Sequence, residues 1–439
     1  MLTFLAPGVQ PSSPPAEGRR VIHALEGLIE AAYSKLPEHA QARAQVVALN
    51  RRSVQLSDEL RQALPEPLHE FWEAYSGWFA MYSLGPLLAN AVVGGQALSG
   101  RTGTPACRHA STGKGACPTG EAMIIEGWRR AGWWSGRELL QPALLDELEA
   151  AGVRATVSPS ALQLVRPPVA RLMAARQGRT ALRRDHQAAT QATPPSPAKT
   201  DILWLSVGAS SADLIARLSE ATANLHALHS EILDFHYFGS EEGLARHALS
   251  FANITGFIDE SSLAAGRAVA GSISRWWPVI RANALRLPLF GVLPPRMLQA
   301  VLERLRLVLL RDAPSWVVQS HAAHRALDAY QPQVVVGTHV YGPPIAPLII
   351  AARQRGIPRL CLQHGVIGPR YLALPSLPYD EQLLFGSYAA NILRQTSPAE
   401  TRLTVTGHSL YDVAQTPPEP RPEVLRLKEG VTGLAVLCT

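Results

Sequence analysis

The sequence predicts an α/β protein in which a doubly wound parallel sheet is preceded by a mainly helical region. Beyond residue 200, short apolar runs that end near glycine alternate with helical patterns, as in doubly wound domains. Before residue 178, apolar side chains recur at intervals of three and four residues, which is typical of helices. A polar stretch with a proline cluster, residues 178–200, separates the two patterns and is predicted to be a linker.

The elements that follow the linker can be predicted in order. Strands are predicted at 202–207, 231–238 and 254–258, with a helix beginning at Ser210 or Ser211 between the first two. Two long helices follow, one containing Trp276 and Trp277 and ending near residue 286, the other at 294–312 with proline in its first turn. Residues 332–365 form the clearest unit, strand, helix and strand, and further strands are predicted at 382–386 and 402–407.

Composition excludes several classes of protein. The 439 residues are 47% hydrophobic and 17% charged, so the chain can bury a large core and is not disordered. The formal net charge is +6, but the arginines are scattered and form no stripe with aromatic residues, so nucleic acid is not an expected partner. Four cysteines are too few for a disulfide scaffold and no secretory signal is visible, which predicts a cytoplasmic protein.

Residues 74–100 contain no charged side chain, although the stretch is long enough to span a bilayer. Glycine, proline and polar residues interrupt it, which favours a buried or interfacial segment over a transmembrane helix. We therefore expect peripheral contact with the inner face of the membrane through residues 74–100. The aromatic residues Trp72 to Tyr82 recur at helical spacing, and the alternative is one packed face of an amphipathic helix.

Functional residues are predicted where the strands end, because ligands of open α/β sheets bind outside the carboxyl ends of the strands. Glycine allows close approach of a ligand to the backbone, and the helix N-termini that follow offer free N–H groups to an anion. The predicted substrate-binding residues are Gly337, His339, Gln363, Gly365, Gly386, Ser387, Gly407 and His408.

His364 is the candidate general base, because a neutral imidazole can accept a proton from a hydroxyl group at neutral pH. The alternative is a loop histidine that only bonds to the backbone. His339 and His408 either bind substrate or cap a turn. No metal site is predicted, since Cys107, His109 and Cys117 lack a fourth ligand at suitable spacing.

The motifs VVVGTH, LCLQHG, LLFGS and TVTGHSLYD, in this order from Val334 to Asp412, resemble the amino-terminal domain of the GT-B superfamily of sugar-handling enzymes. That resemblance implies two Rossmann-like domains facing across a cleft, with residues 201–416 as the acceptor-side domain. Gln363-His364-Gly365 is similar to the His-Gly of glycerophosphotransferases, which implies that His364 is the acceptor base. It also implies that residues 417–439 are a linker and the first strand of a second domain, with the donor half missing from this chain.

The function implied is glycosyltransferase-like. A sugar or polyol phosphate would pass from a nucleotide-activated donor to a glycan or lipid-linked acceptor, in bacterial capsule or surface-polysaccharide biosynthesis, without cofactor or metal. One alternative is a non-catalytic glycan-binding or scaffold protein, or a truncated pseudo-enzyme. The other is a sugar-nucleotide 2-epimerase, which the absence of the epimerases' acidic residues and Glu-Ala-Gly-x-Arg pattern disfavours. The region 1–177 receives no role from the sequence.

Overall fold

We describe the fold from a computed structural model of the chain. The structure describes residues 2–5, 20–23, 28–86, 88–90, 92–93, 123–126, 155–157, 167–192, 198–226, 228–235, 240–291, 293, 295–341 and 344–407.

Strands and helices are numbered along the chain within these residues. The strands are β1 (Leu2–Leu5), β2 (Arg20–His23), β3 (Met123–Glu126), β4 (Ala155–Val157), β5 (Ile202–Ser206), β6 (Ser230–Asp234), β7 (Ala252–Asn253), β8 (Val334–Gly337), β9 (Arg359–Leu362), β10 (Glu381–Leu384) and β11 (Arg402–Val405). The helices are α1 (Leu28–Tyr33), α2 (Ala40–Ala44), α3 (Val46–Leu60), α4 (His69–Phe79), α5 (Pro167–Gln191), α6 (Ala209–His226), α7 (Ser240–Arg246), α8 (Glu260–Ala284), α9 (Pro288–Gly291), α10 (Pro295–Arg311), α11 (Ala313–Tyr330), α12 (Ala346–Gln354) and α13 (Ser387–Leu393).

The larger sheet has seven strands in the order β11-β10-β9-β8-β5-β6-β7, all parallel. From β5 the chain adds β6 and β7 on one side, then returns across to add β8 to β11 on the other. This reversal next to the first strand is the topological switch point of a doubly wound sheet. The predicted fold class is confirmed.

Helices cover both faces of this sheet, and the side chains of β5 show why. Ile202 and Trp204 point to one face, where Ile215 of α6 belongs to the same apolar cluster. Leu203 and Leu205 point to the other face and belong to a cluster that includes residues of α11 and α12. A strand buried on both sides is expected to be continuously apolar, as β5 is.

A separate helical core joins parts of the chain that are distant in sequence. Its buried residues come from the aromatic helix α4 and from α3, α5, α8, α10 and α11. Helices α8 to α11 lie between β7 and β8, so the long crossover of the sheet domain packs against the helices that precede it. The first helical region and the crossover therefore stabilise each other by burying one apolar cluster.

Four short strands outside the sheet domain form a second parallel sheet that the sequence analysis did not predict. Its order is β2-β1-β3-β4, and each neighbouring pair is parallel. Runs of three or four residues such as Met123–Glu126 are too short for their periodicity to distinguish a strand from a helix.

Two further segments differ from expectation. Residues 178–191 of the predicted linker are the second half of α5, and Gly178 lets this helix approach the Leu310 carbonyl of α10 closely. The predicted strand at 254–258 is instead a 3-10 turn, Ile254–Phe257. The side chain of Asn253 caps the start of this turn by accepting a hydrogen bond from the Thr255 N–H. The aromatic stretch agrees with the alternative of a packed helix face, because its Trp72 and Phe79 are almost fully buried. Among the described residues, no helix is long and apolar enough to cross a bilayer.

Candidate functional site

The loops at the carboxyl ends of β8 and β9 bring two predicted residues into contact. His339 follows β8 and His364 follows β9, and these strands are hydrogen-bonded neighbours. The two imidazole rings stack with their centroids 4.2 Å apart and an interplanar angle of 29°. The pair lies at the edge of the sheet where the switch point between β5 and β8 also opens.

A main-chain hydrogen bond fixes the tautomer of His364. Its Nδ1 donates to the carbonyl oxygen of Thr338, which is an acceptor only. In the neutral ring Nε2 is therefore the unprotonated nitrogen, with a lone pair available to accept a proton. Burial lowers the pKa of His364, the charge of Arg370 acts in the same direction, and the Thr338 bond opposes both.

His339 is positioned by its neighbours on both sides. Its carbonyl oxygen accepts a hydrogen bond of 3.0 Å from the Tyr379 hydroxyl group, and its Nδ1 lies 3.1 Å from the Thr338 hydroxyl oxygen. Burial, followed by the proximity of His364, lowers the pKa of His339 to about 3. The ring is therefore neutral at physiological pH and contributes shape and hydrogen bonding rather than charge.

Gly337 is needed here for close packing. A Cβ atom at this position would collide with the hydroxyl oxygen of Tyr379. Tyr379 is buried, and its hydrogen bond to His339 requires that approach. Gly337, at the end of β8, therefore leaves room for Tyr379, whose hydrogen bond to His339 fixes the loop that follows.

Gln363, predicted to bind substrate, is buried and connects two strand ends. Its Oε1 accepts from the Phe385 backbone N–H at 2.8 Å, and its Nε2 donates to the Gly365 carbonyl at 2.8 Å. These bonds join the end of β9 to the end of β10 and shape the loop that carries His364. The geometry gives Gln363 a positioning role.

The other predicted residues lie along the same rim. A Cβ at Gly365 or Gly386 would contact nothing, and Ser387, which begins α13, is exposed. Gly407 has φ +82, a conformation that side chains disfavour. His408 lies outside the described residues, as does the rest of the VTGHSLYD motif after Gly407.

Sequence reasoning missed the residues that surround the β9 loop, residues 364–373. The Arg370 N–H donates to the Tyr33 hydroxyl at 3.3 Å, and the Arg370 guanidinium lies 5.2 Å from the Tyr371 ring centre. Asn50 of α3 donates to the Leu372 carbonyl at 3.1 Å. The first helical region thus holds the loop that carries His364. Tyrosine and arginine at isolated positions give no periodic signal, so only the fold reveals them.

A cavity of about 410 Å³ lies between α3, α4, α12 and the chain before β10. Tyr341, two residues after His339, lines it together with Trp78. Glu73, also in its lining, pairs with both Arg61 (3.5 Å) and Arg353. Aromatic faces beside charged hydrogen-bonding groups suit a polyhydroxylated ligand, and the volume falls within the roughly 300–1,000 Å³ of small-molecule sites.

In the part of the chain that the structure describes, no group of three or more His, Cys, Asp or Glu side chains is arranged to hold a metal ion. No protein-family model, curated protein or solved structure matches the chain significantly.

Proposed function

We propose that this protein transfers a sugar or polyol phosphate from a nucleotide-activated donor to a hydroxyl group of a glycan or lipid-linked acceptor, with His364 as the base. The observation that carries the proposal is the Nδ1 hydrogen bond of His364 to Thr338, at the ligand-binding edge of a doubly wound sheet. That bond leaves Nε2 as the basic atom. The order of motifs from Val334 onward supports the same reaction through its resemblance to the GT-B superfamily.

The proposed chemistry is one displacement. Nε2 of His364 takes the proton of the acceptor hydroxyl as its oxygen attacks the donor's anomeric carbon or phosphorus atom. The bond to the nucleotide phosphate breaks, and the nucleotide leaves with the electron pair. No separate cofactor is needed because the donor carries its own leaving group.

The proton transfer requires His364 to be neutral before reaction. Burial and the charge of Arg370 favour that state by lowering its pKa. The same guanidinium, on the loop after β9, is a candidate to stabilise negative charge on the departing phosphate. In this proposal the 410 Å³ cavity beside Tyr341 receives the acceptor.

The test is an assay of nucleotide release with a panel of nucleotide sugars and nucleotide-activated polyols, each with and without oligosaccharide or lipid-linked acceptors. We expect acceptor-dependent release for one donor, and loss of that release in His364→Ala. Release without acceptor together with a changed sugar configuration would instead support 2-epimerase chemistry. Binding without any release, unaffected by His364→Ala, would contradict the transferase.

The cavity supports a second candidate, a non-catalytic glycan-binding protein. Its aromatic and charged lining does not depend on His364. Titration of oligosaccharides into the protein separates the two. A binding-only protein retains its affinity in His364→Ala, loses it in Trp78→Ala, and shows no turnover with any donor.

A further inference from the structure

A second cavity, of about 290 Å³, opens at the surface of the helical region, away from the residues of the candidate site, and Arg281 and Gln299 in its lining are exposed. It is lined by Arg171 of α5, by Trp277, Pro278 and Arg281 of α8, and by Gln299, Leu302, Glu303 and Arg306 of α10. Three guanidinium groups and one carboxylate give this lining an excess of two positive charges. An open pocket with this excess of positive charge attracts anions from solution.

Helical spacing brings these side chains to one place. Trp277 and Arg281 are four residues apart on α8, and Gln299, Glu303 and Arg306 follow one another at four and three residues on α10. Residues at such spacings share a helix face. Facing helices therefore present their polar groups to the same space.

Two of the arginines are held in place before any ligand binds. Arg171 is fixed by a two-point bond to Glu303, with Nε and Nη2 donating at 2.7 and 2.6 Å. The Arg306 guanidinium lies 5.3 Å from the centre of the Trp277 ring, a cation–π distance. Fixed guanidinium groups lose little conformational freedom when they bind an anion.

In the part of the chain that the structure describes, the Glu303 carboxylate bonds to Arg171 and leaves Arg281 and Arg306 without an acceptor of their own. The Nε of Arg306 is buried and has no hydrogen-bond acceptor among the described residues. The exposed Arg281 guanidinium makes no hydrogen bond or ion pair within that same part of the chain, so it is available to a ligand at the mouth of the cavity. Burial and the charge of Arg171 lower the pKa of Arg306, and the Glu303 carboxylate offsets only part of that effect. An anion in the cavity would supply the missing acceptor.

We propose that this cavity binds a phosphoryl group through Arg281 and Arg306, with Arg171 beside them. A tetrahedral anion offers several oxygen atoms at once, so it can accept from more than one guanidinium, and arginine matches its geometry. The volume suits inorganic phosphate, a diphosphate or a headgroup better than a whole nucleotide. The site is independent of the proposed transfer reaction at His364.

The experiment is isothermal titration calorimetry of the full chain with inorganic phosphate and with pyrophosphate, at ionic strength held constant with NaCl. A parallel arm measures sedimentation with phosphatidylcholine vesicles with and without phosphatidic acid, which separates a soluble ligand from a lipid headgroup. The variants are Arg281→Ala and Arg306→Lys. Arg275→Ala is the matched control, because Arg275 lies on the same helix and donates only to Ser272 at 2.9 Å.

We expect at least one phosphoryl source to bind, and Arg281→Ala and Arg306→Lys each to weaken its binding by about tenfold or more. Arg275→Ala should leave the affinity within about twofold of wild type, because it removes one positive charge that does not line the cavity. Binding to vesicles alone would identify a headgroup as the source. The proposal is overturned if no source binds, if Arg281→Ala and Arg306→Lys bind like wild type, or if Arg275→Ala loses as much affinity as they do.

Discussion

The imidazole rings of His339 and His364 stack 4.2 Å apart at an angle of 29°. Two imidazolium ions at that distance would repel, so the contact favours the neutral form of both rings. Burial acts in the same direction and lowers the pKa of each. The consequence is a pair without charge at neutral pH, in which the Nε2 atom of His364 remains available as a base.

Replacing His364 by Ala should lower turnover by about 100-fold or more, because general-base catalysis contributes about that much to such a step. The measurement is the initial rate of nucleotide release with the donor and acceptor identified in the panel assay. His247→Ala, which removes an exposed histidine that bonds to Asp213 at 2.6 Å, is the control. Unchanged turnover in His364→Ala would remove His364 from the role of base.

The rate should also report the charge of Arg370. Its guanidinium lowers the pKa of His364, so Arg370→Gln should raise that pKa and move the acidic limb of the kcat/KM profile to higher pH. In the wild type, the same limb should lie below pH 6.5, the ordinary pKa of histidine. A profile that does not move in Arg370→Gln would show that another group sets the acidic limb.

Gly337 and Tyr379 should behave as a coupled pair in unfolding experiments. Gly337→Ala places a methyl group against the Tyr379 hydroxyl oxygen and should destabilise the fold by about 1–3 kcal/mol. Tyr379→Phe loses the bond to His339 but removes the obstructing oxygen, so the double variant should be more stable than additivity predicts, by about 1 kcal/mol. Gly386→Ala, whose new atom contacts nothing, is the control. Additive effects in the double-mutant cycle would contradict the packing of Gly337 against Tyr379.

The sequence predicted the sheet domain well because its elements carry strong local signals. The apolar strand β5 and the motif from β8 through α12 to β9 are buried, and continuous burial produces continuous apolar runs. Alternation of strands and helices predicts parallel strands whose carboxyl ends lie at one edge of the sheet. For that reason His339 and His364 could each be placed at the carboxyl end of a strand, although their stacking could not be predicted.

The remaining features depend on contacts between distant residues. Residues 178–191 have the polar composition of a linker, yet they form a helix because one narrow face packs against α10 and α11. Gln363 bonds to Phe385, and Tyr33 bonds to Arg370. No sequence periodicity relates the two positions in either pair. Sequence patterns report burial; they do not report the partner that causes it.

His339 should make the protein less stable in acid. Its pKa is about 3 in the folded protein and near 6.5 in the unfolded chain, so between these values only the unfolded state binds the proton. The free energy of unfolding should therefore fall as pH decreases from about 6.5 toward 3, with about 1–2 kcal/mol from this residue between pH 7 and 5. Urea unfolding at pH 5, 6 and 7 should show a shallower dependence in His339→Gln. An equal dependence in both proteins would contradict the buried, neutral state of the ring.

Asp185, within the part of α5 predicted to be a linker, should destabilise the protein at neutral pH. Burial raises its pKa to about 6 against an opposing hydrogen bond to Ser315, and its Oδ2 has no hydrogen-bond partner among the described residues. A carboxyl group with a raised pKa stabilises the fold fully only below its unfolded value near 3.9, and that contribution is lost as pH rises through about 6. Asp185→Asn should therefore raise the free energy of unfolding by about 1–2 kcal/mol at pH 7.5 and leave it unchanged at pH 4. Asp213→Asn, at an exposed position, is the control, and an equal gain in Asp185→Asn at both pH values would show that packing rather than charge is responsible.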